Sequence, residues 1–530
     1  MAGTGAGVAT RPNITISGRL GQSDYYKWLV MANLVIGTTT TGLSQMSIQI
    51  ALPRMMSTFG VDVEKIQWVA SANMIASVVT MPLVGWLGGI FGNRLYYLSS
   101  LAVFMISSAL CGISSNINEI IFFRIFQGMA TGAMQPIAMT ILYNIFPPEQ
   151  RGLALGVSAL SIAFGPALGP PVGGYLVEIL GWRSVFYINV PLGLISILMA
   201  LLIMPKIEDR RRATVDFPGL VTMMIFLITL MVALTQGRRE GWDSQYILTL
   251  FTISAISFVA FLIVELRTPQ PIVDLSLFKI LSFSASGVIR FLFGAGYSSV
   301  LFLLTLFLQT GLHYTPIQAG MLNLPGAIVM AITGIIAGRV SDKVDPRTLV
   351  MFGLLGLSYM NDQLSKFNIW TSASYIILMI MLRMFAMSWV NSPLNNANLR
   401  VLPEAKVRMG SGLVTLVGGI GGSFGTAVLS SYFTKKQLFY TALLSQDQTI
   451  SSLGTSLAMR SIRNVLESQR TGDFPDILRA KSMAVLRGQI TQEATISAYQ
   501  DSFRVVSIIF LLGLIPAFFV GRTLDKKEKS

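Results

Sequence analysis

The chain has 530 residues, of which 52% are hydrophobic and only 12% are charged, with a formal net charge of +14 and a mean hydropathy of +0.63. This charged fraction is about half that of a typical soluble domain, which excludes an ordinary soluble enzyme. The single cysteine, Cys111, excludes an internal disulfide, and the single histidine, His313, disfavours a zinc or haem centre. We therefore expect neither a metal nor a cofactor.

Long apolar blocks recur along the whole chain. Each is roughly 20 residues long, the length that an α-helix needs to cross a hydrocarbon core of about 30 Å. Transmembrane β-strands would be shorter and would alternate polar with apolar residues, which these blocks do not do. The pattern predicts an all-α polytopic membrane protein with fourteen spans, at 28–53, 67–90, 95–114, 119–145, 153–178, 185–204, 217–236, 245–265, 283–309, 316–338, 348–367, 372–400, 410–433 and 502–521.

Lysine and arginine are distributed unevenly between the two sides of these spans. When Arg400 and Lys366, at the ends of their spans, are counted with the adjoining loops, the tails and loops on the side of the termini carry 21 of them and the short loops on the opposite side carry six. Positive residues concentrate in cytoplasmic loops, so we predict that both termini are cytoplasmic. The long segment 435–501 is predicted to be external, because long loops translocate regardless of their charge. The net charge then reflects topology, and a nucleic-acid partner is not expected.

Two similar loops indicate an internal repeat. The first reads GWLGGIFGNR, from Gly85 to Arg94, and the second reads GRVSDKVDPR, from Gly338 to Arg347. Parallel six-helix repeats are a transporter architecture with a substrate site near the middle of the membrane. The predicted divisions are a cytoplasmic tail 1–27, a six-helix bundle 28–204, two inserted helices within 205–280, a second six-helix bundle 281–521 that includes the external loop 435–501, and a cytoplasmic tail 522–530.

The fifth span contains the stretch GVSALSIAFGPALGPPVGG, which is rich in glycine and proline. It matches at every position a motif of the fourteen-span drug:proton antiporters, and nearly the whole chain resembles this family, the EmrB/QacA type of the major facilitator superfamily. The resemblance implies a major facilitator fold of two six-helix bundles plus two inserted helices. The motif residues are Gly156, Gly165, Gly169, Pro170, Gly173 and Gly174, and in the fourth span Arg124, Gln127 and Gly128 fit the family pattern R-x-x-Q-G.

The resemblance implies that the glycine-rich helix seals the path between the two bundles and limits leak. Small residues let membrane helices approach closely. We expect a larger side chain at Gly165 or Gly169 to force the halves apart. The alternative is that this is a plain packing helix.

The chain departs from the family pattern at two acidic positions. Ser44 stands where the first span usually has an aspartate, and Gly89 stands where the first loop motif usually has one. The family aspartate of the loop motif latches one conformation at a helix end, so the first-half latch is in doubt. The loop-motif residues that remain are Gly85, Gly92 and Arg94 in the first copy and Asp342 and Lys343 in the second.

Three arginines, Arg124, Arg290 and Arg383, lie deep in predicted spans, whereas Asp362 is the one carboxylate placed inside a span and not at its first or last residue. Ionisable groups in a membrane usually face a cavity or a partner. Arginine stays protonated in proteins, so a proton carrier should be a carboxylate or a histidine. Asp362 is thus the best candidate for the proton carrier. The alternatives are that the arginines pair with backbone carbonyls and that Asp362 caps a helix.

Together these features predict a secondary-active exporter in the cell membrane, not an enzyme, that works by alternating access. It would move hydrophobic or amphipathic small molecules outward in exchange for protons. The expected partners are the substrate, protons, the lipid bilayer and, if the cell is Gram-negative, a periplasmic adaptor protein. Two alternatives stay open, an exporter of anionic amphiphiles such as fatty acids or lipids, and a non-transporting sensor or scaffold that has lost its coupling groups.

Overall fold

The computed structural model describes residues 25–204, 216–268, 271–403, 406–446, 453–468 and 475–521, and these ranges contain helices and no β-strand. Most of the predicted tails and of the loop 205–216 lie outside the described residues. The α-helices are α1 (Tyr26–Phe59), α2 (Val63–Thr80), α3 (Val84–Phe91), α4 (Asn93–Ile113), α5 (Ile117–Ile145), α6 (Arg151–Ile179), α7 (Ser184–Tyr187), α8 (Asn189–Ile203), α9 (Phe217–Glu240), α10 (Gln245–Arg267), α11 (Leu281–Leu306), α12 (Pro316–Ser341), α13 (Pro346–Leu364), α14 (Ala373–Arg400), α15 (Val407–Gln446), α16 (Leu453–Ser468), α17 (Pro475–Leu512) and α18 (Leu514–Ala517).

Polar residues mark where several of these helices begin. The side chains of Asp62, Asn116 and Ser372 each accept a hydrogen bond from a backbone N–H in the first turn of α2, α5 and α14. At the start of α12, Thr315 and Gln318 form a reciprocal capping box. Such caps satisfy the N–H groups that have no partner inside the helix. The caps therefore mark the start of each of these helices after a short loop.

Ten helical segments of the described part are long and apolar enough to cross a membrane. The other four predicted spans correspond to α1, α5, α6 and α13, which are 34, 29, 29 and 19 residues long. Small and polar residues are usual where a membrane helix faces other helices instead of lipid. The all-helical fold is therefore clear, and the number of fourteen spans stays a prediction.

The segment 435–501, predicted as an external loop, is mostly helical where it is described. Helix α15 continues to Gln446, α16 follows, and α17 begins at Pro475 and runs without a break into the last predicted span. Hydropathy marks the length of the hydrocarbon layer, whereas a helix can continue beyond it. The predicted end of the thirteenth span at residue 433 is therefore not the end of its helix.

The helices pack in two groups, α1–α8 and α11–α18, and α9 and α10 pair with each other beside α2 and α15. Helix α6 lies between α1 of its own group and α12 of the other. The end of the bundle that holds Tyr26, Arg151 and Val407 is named the near end here. The opposite end, which holds Phe59 and Pro316, is named the far end. In the orientation predicted from the loops, the near end is cytoplasmic.

Candidate functional site

A cavity of about 850 Å³ lies between the two groups of helices. Its apolar walls include Met46, Phe302 and Met330, and none of its lining residues in the described part of the chain carries a charge. Methionine and aromatic side chains adapt to apolar ligands of varied shape. Seven amide side chains also line it: Gln45, Gln49, Gln135, Gln309, Asn323, Asn391 and Asn395.

The two groups meet at the near end of this cavity. A Cβ atom added to Gly85 would lie 2.9 Å from Met409 Cα, and one added to Gly412 would lie 2.7 Å from the carbonyl oxygen of Met81. These contacts join α3 and the turn that precedes it to α15. In the opposite direction the cavity extends to Pro53 in α1, close to the far end. The bundle is therefore closed at its near end.

Helix α6 carries the glycine motif and contacts α12 along its length. A Cβ atom at Gly156 would lie 2.3 Å from the carbonyl oxygen of Gly334, and one at Gly174 would lie 2.7 Å from Ile317 Cγ1. Pro170 lines the cavity and packs against Gly320. Three motif residues therefore lie between the groups.

The remaining motif glycines face α1, which belongs to the same group as α6. A Cβ atom at Gly165 would lie 2.8 Å from Gly42 Cα, and one at Gly169 would lie 2.3 Å from Met46 Cβ; Gly173 approaches α1 in the same way. They are close-contact positions within one group, so a larger side chain at Gly165 or Gly169 would meet α1 first, and the expectation that it forces the two halves apart stays a prediction. A sequence motif does not state which neighbour each face of its helix meets.

Asp342 joins the two groups at the near end. Its Oδ1 accepts a hydrogen bond from the backbone N–H of Gly152 at 2.8 Å, and its Oδ2 accepts one from Leu153 at 3.3 Å. Asn396 Nδ2 donates to Oδ1 at 3.1 Å. Partial burial raises the pKa of the Asp342 carboxyl above its usual range, and these hydrogen bonds oppose that shift. The carboxylate of one group thus caps the first turn of α6 in the other.

The other loop-motif residues have simpler surroundings. Gly92 has a φ of 80°, a left-handed value that favours glycine, and Arg94 donates to the carbonyl oxygen of Leu201 at 2.7 Å. Lys343 is exposed in the turn after α12. At Gly89 a Cβ atom would lie 3.5 Å from Nη1 of Arg408 in α15, so the first copy brings a cation to the position where the second copy has Asp342.

Arg124 is buried in a polar network inside the first group. Its Nε donates to the carbonyl oxygen of Val69 at 2.8 Å, and its Nη1 donates to the Gln127 amide. Gln127 in turn donates to Ser108, and Asn189 Nδ2 donates to both Ser108 at 3.1 Å and Ser44 at 3.0 Å. No described carboxylate takes part. The alternative of a backbone-paired arginine therefore fits Arg124, and Ser44 belongs to its surroundings.

Arg290 and Arg383 lie in the second group, behind the cavity wall. Arg290 Nη1 donates to Asn391 Oδ1 at 2.7 Å, and Asn391 lines the cavity. Arg383 is 2% exposed, and its Nε and Nη2 have no hydrogen-bond partner among the described residues. Arg383 interacts electrostatically with Tyr297, which also lines the cavity. Both cations act on the cavity through one intervening side chain.

Asp362 does not lie at the cavity. Its carboxylate is 44% exposed and pairs with Lys366 at 3.0 Å, one turn further along the end of α13. This position favours the alternative that Asp362 lies at a helix end, and its role as the proton carrier stays a prediction.

The sequence inventory also missed carboxylates that the structure buries. Glu265, in the last turn of α10, and Asp216, just before α9, are the two acidic residues that are nine-tenths or more buried in the described ranges. Glu265 lies inside the predicted span 245–265, so its position was the available signal. Asp501 forms an ion pair with Lys436 of α15 at 3.0 Å.

Two packed groups of membrane helices, with a cavity between them that is closed at one end, define a multi-pass membrane transporter. The chain belongs to the Major Facilitator Superfamily, whose family model matches residues 34–426. It is 29% identical over 501 residues to the uncharacterized MFS-type transporter YhcA of Bacillus subtilis, covering 94% of each chain. It is 30% identical over 503 residues to the multidrug export protein EmrB of Escherichia coli, covering 92% of this chain and 95% of EmrB.

Solved structures share the fold at low sequence identity. The human organic anion transporter MFSD10 superposes with a TM-score of 0.61 at 15% identity, covering 93% of this chain and 99% of that one. A mutant of XylE superposes with a TM-score of 0.60 at 14% identity, covering 94% of this chain and 98% of that one. Membership of this family makes the chain a transporter and not an enzyme.

Proposed function

We propose that this protein is a proton-driven exporter of multidrug type, which moves neutral or anionic amphiphilic molecules outward by alternating access. The similarity to EmrB, a multidrug export protein, supports export of small molecules. The observation that carries the substrate class is the cavity. Its described lining consists of apolar and amide side chains without a charged one. The buried residues Arg290 and Arg383 lie one side chain further from the cavity.

The chemistry of the cavity favours a substrate with an apolar body and a neutral or negative polar group. Amide side chains both donate and accept hydrogen bonds, so they can match a neutral polar group in either role. No described carboxylate lines the cavity to attract a cation. A cation therefore gains little there beyond apolar contact.

The buried arginines add a positive potential. A charge at roughly 8 Å contributes about 2 kcal/mol at an effective dielectric near 20. Arg290 is held by Asn391 at the cavity wall, so an anionic group in the cavity would feel this attraction and a cationic group the corresponding repulsion. Neutral amphiphiles would meet neither effect.

A transport assay with three dyes tests the substrate class. Purified protein in proteoliposomes with an imposed pH gradient is expected to transport the anion anilinonaphthalenesulfonate and the neutral Nile red better than the cation ethidium. Arg290→Gln should weaken transport of the anion about tenfold and that of the neutral dye less than threefold, since only the anion loses Coulomb attraction. Arg54→Gln, at an exposed position near the end of α1, is the matched control and should change neither.

Preferred transport of ethidium by wild-type protein, unchanged in Arg290→Gln, would contradict the substrate class. No transport of any dye, with no dye-dependent proton flux, would favour the alternative of a sensor or scaffold. A periplasmic adaptor protein as a partner, if the cell is Gram-negative, stays a prediction.

A further inference from the structure

The inserted helix pair buries two carboxylates at its near end. Glu265 is 4% exposed and Asp216 is 7% exposed. Both belong to the pair α9–α10 or to its immediate flank, outside the central cavity. Ionisable groups inside a membrane protein are costly and usually functional, so these two require an explanation.

Neither carboxylate has a cationic partner within ion-pair distance among the described residues. Both oxygens of Glu265 accept long hydrogen bonds, of 3.4 Å, from the backbone N–H of Val273, and the backbone of Ile272 also hydrogen-bonds to this carboxyl. Asp216 Oδ1 accepts from Gly219 at 2.9 Å, at the start of α9, but its Oδ2 is buried without a partner. Asp216 thus caps the start of α9, whereas Glu265, in the described part of the chain, caps no helix and has no cation beside it.

The other charged groups nearby connect Glu265 to the closed end of the cavity. Glu265 interacts electrostatically with Asp216 and with Asp274, which lies in the segment that follows α10. Asp274 forms an ion pair with Lys406, directly before α15. These four charged residues lie in α10, directly before α9, in the segment after α10 and directly before α15.

The segment after α10 also contacts the gate directly. The backbone N–H of Asp274 donates to Met409 Sδ at 3.1 Å, and Met409 is the residue of α15 that packs against Gly85. The contacts therefore run from the Glu265 carboxyl through Val273 and Asp274 to the seam between α3 and α15.

We propose that Glu265 is a proton-binding site whose loss of a proton to water at the near end opens the seam between α3 and α15. The O–H bond breaks, the carboxylate keeps the electron pair, and water takes the proton. The new charge then lies beside Asp216 and Asp274. Repulsion between the carboxylates moves the segment after α10, which contacts Met409 of α15. Uptake of a proton supplied from the far side restores the closed seam, which is the direction of proton movement that a proton-driven exporter requires. As the proton site of the exporter, this inference rests on the proposed function.

The test measures opening without any substrate. Spin labels at Phe91→Cys and Pro403→Cys, both exposed at the near end, report the distance across the seam in a Cys111→Ser background. Wild-type protein is expected to shift toward the open distance as the pH rises from about 5 to about 9, by a factor of about five or more in the open-to-closed ratio. Glu265→Gln imitates the protonated form and should remain closed throughout.

Glu240→Gln is the matched control, because Glu240 is exposed at the other end of the same helix pair. It should titrate like wild-type protein. Lys406→Gln should reduce the pH-driven change, since it removes the ion pair between the segment and α15. If Glu265→Gln opens with pH as wild-type protein does, the inference is overturned. Unchanged distances in wild-type protein would overturn it too.

A second readout separates this inference from the proposed function. Proteoliposomes with Glu265→Gln should lose both the exchange of labelled for unlabelled anilinonaphthalenesulfonate and dye-driven proton flux, because a seam that remains closed cannot alternate. If wild-type protein lacks dye-driven proton flux, the proposed proton coupling fails whatever the spin labels report. If wild-type and Glu265→Gln proteins have equal proton flux, Glu265 is not the proton site, although the proposed function stands.

Discussion

Gly156 is a position where one hydrogen atom in place of a side chain lets two helices touch. Its Cα faces the carbonyl oxygen of Gly334, and a Cβ atom would come within 2.3 Å of it. Backbone atoms cannot rotate away as a flexible side chain can, so a substitution must separate α6 from α12. The motif glycine therefore acts at the contact between the groups.

We predict that Gly156→Ala weakens closure of the near end by about 1–3 kcal/mol, the usual cost of overpacking. Spin labels at Glu149→Cys and Val344→Cys, both exposed beside this contact, should report a larger share of long distances. Gly287→Ala, where no atom lies within 4 Å, is the control and should leave the distances unchanged. Equal distances in Gly156→Ala and wild-type protein would contradict a role in closure.

Ser44 is a departure from the family pattern, with a hydroxyl where an aspartate is usual. Its hydroxyl accepts a hydrogen bond from Asn189, which also donates to Ser108, the acceptor of Gln127 in the network around Arg124. Backbone and amide oxygens satisfy the guanidinium instead of a carboxylate. The first group therefore has no acid beside its buried arginine in the described part of the chain.

At the scale of elements, the first turn of α6 is capped by a residue at the end of α12, which belongs to the other group. Asp342 follows α12 and accepts hydrogen bonds from two backbone N–H groups of the first turn of α6. The contact makes the start of one helix dependent on the end of another. Any motion that separates α6 from α12 must break it.

We predict that Asp342→Ala reduces closure of the near end by about 1–3 kcal/mol, because it leaves buried donors without acceptors. Asp342→Asn should be tolerated better, since its amide oxygen still accepts one hydrogen bond and burial already raises the pKa of this carboxyl toward the neutral form. The labels at positions 149 and 344 measure both variants. Equal closure in the Ala variant and wild-type protein would exclude this contact as a latch.

Helices α9 and α10, predicted as an inserted pair, contact both groups of helices. They pair with each other, and α9 also packs on α2 of one group and on α15 of the other. The segment after α10 reaches Lys406 and Met409 at the start of α15. An inserted pair that touches both groups at the near end is well placed to influence closure.

At the scale of the whole molecule, the closed end must be assigned to a side of the membrane. In the predicted orientation the closed near end faces the cytoplasm and the cavity extends toward the exterior. In an exporter, this arrangement is the one from which substrate leaves the cavity toward the exterior. The bias of Lys and Arg toward one set of loops supports the assignment.

We predict that an impermeant maleimide labels Trp370→Cys in intact cells and labels Val344→Cys only after the membrane is permeabilised. Trp370 is 85% exposed between α13 and α14, and Val344 is exposed between α12 and α13. The background carries Cys111→Ser. The reverse labelling pattern would invert the orientation, and labelling of both in intact cells would contradict the predicted span between them.

Sequence alone determined the class of this protein, because span length and helix formation are local properties in a membrane. Backbone groups in lipid must pair within their own helix, so an apolar block of sufficient length predicts a helix before any packing is known. The motif in α6 and the repeated loops identified the family for a similar reason, since both are short patterns in the linear chain.

Only the tertiary structure decided which residues act together. The hydrogen bond between Gly152 and Asp342 joins residues 190 positions apart, and no pattern in the linear sequence predicts it. Asp362 and Glu265 both lie in apolar helices, yet one is solvated in an ion pair and the other is buried beside acids. The rotation of each helix against its neighbours makes that difference, because packing determines which face of a helix meets water and which faces another helix.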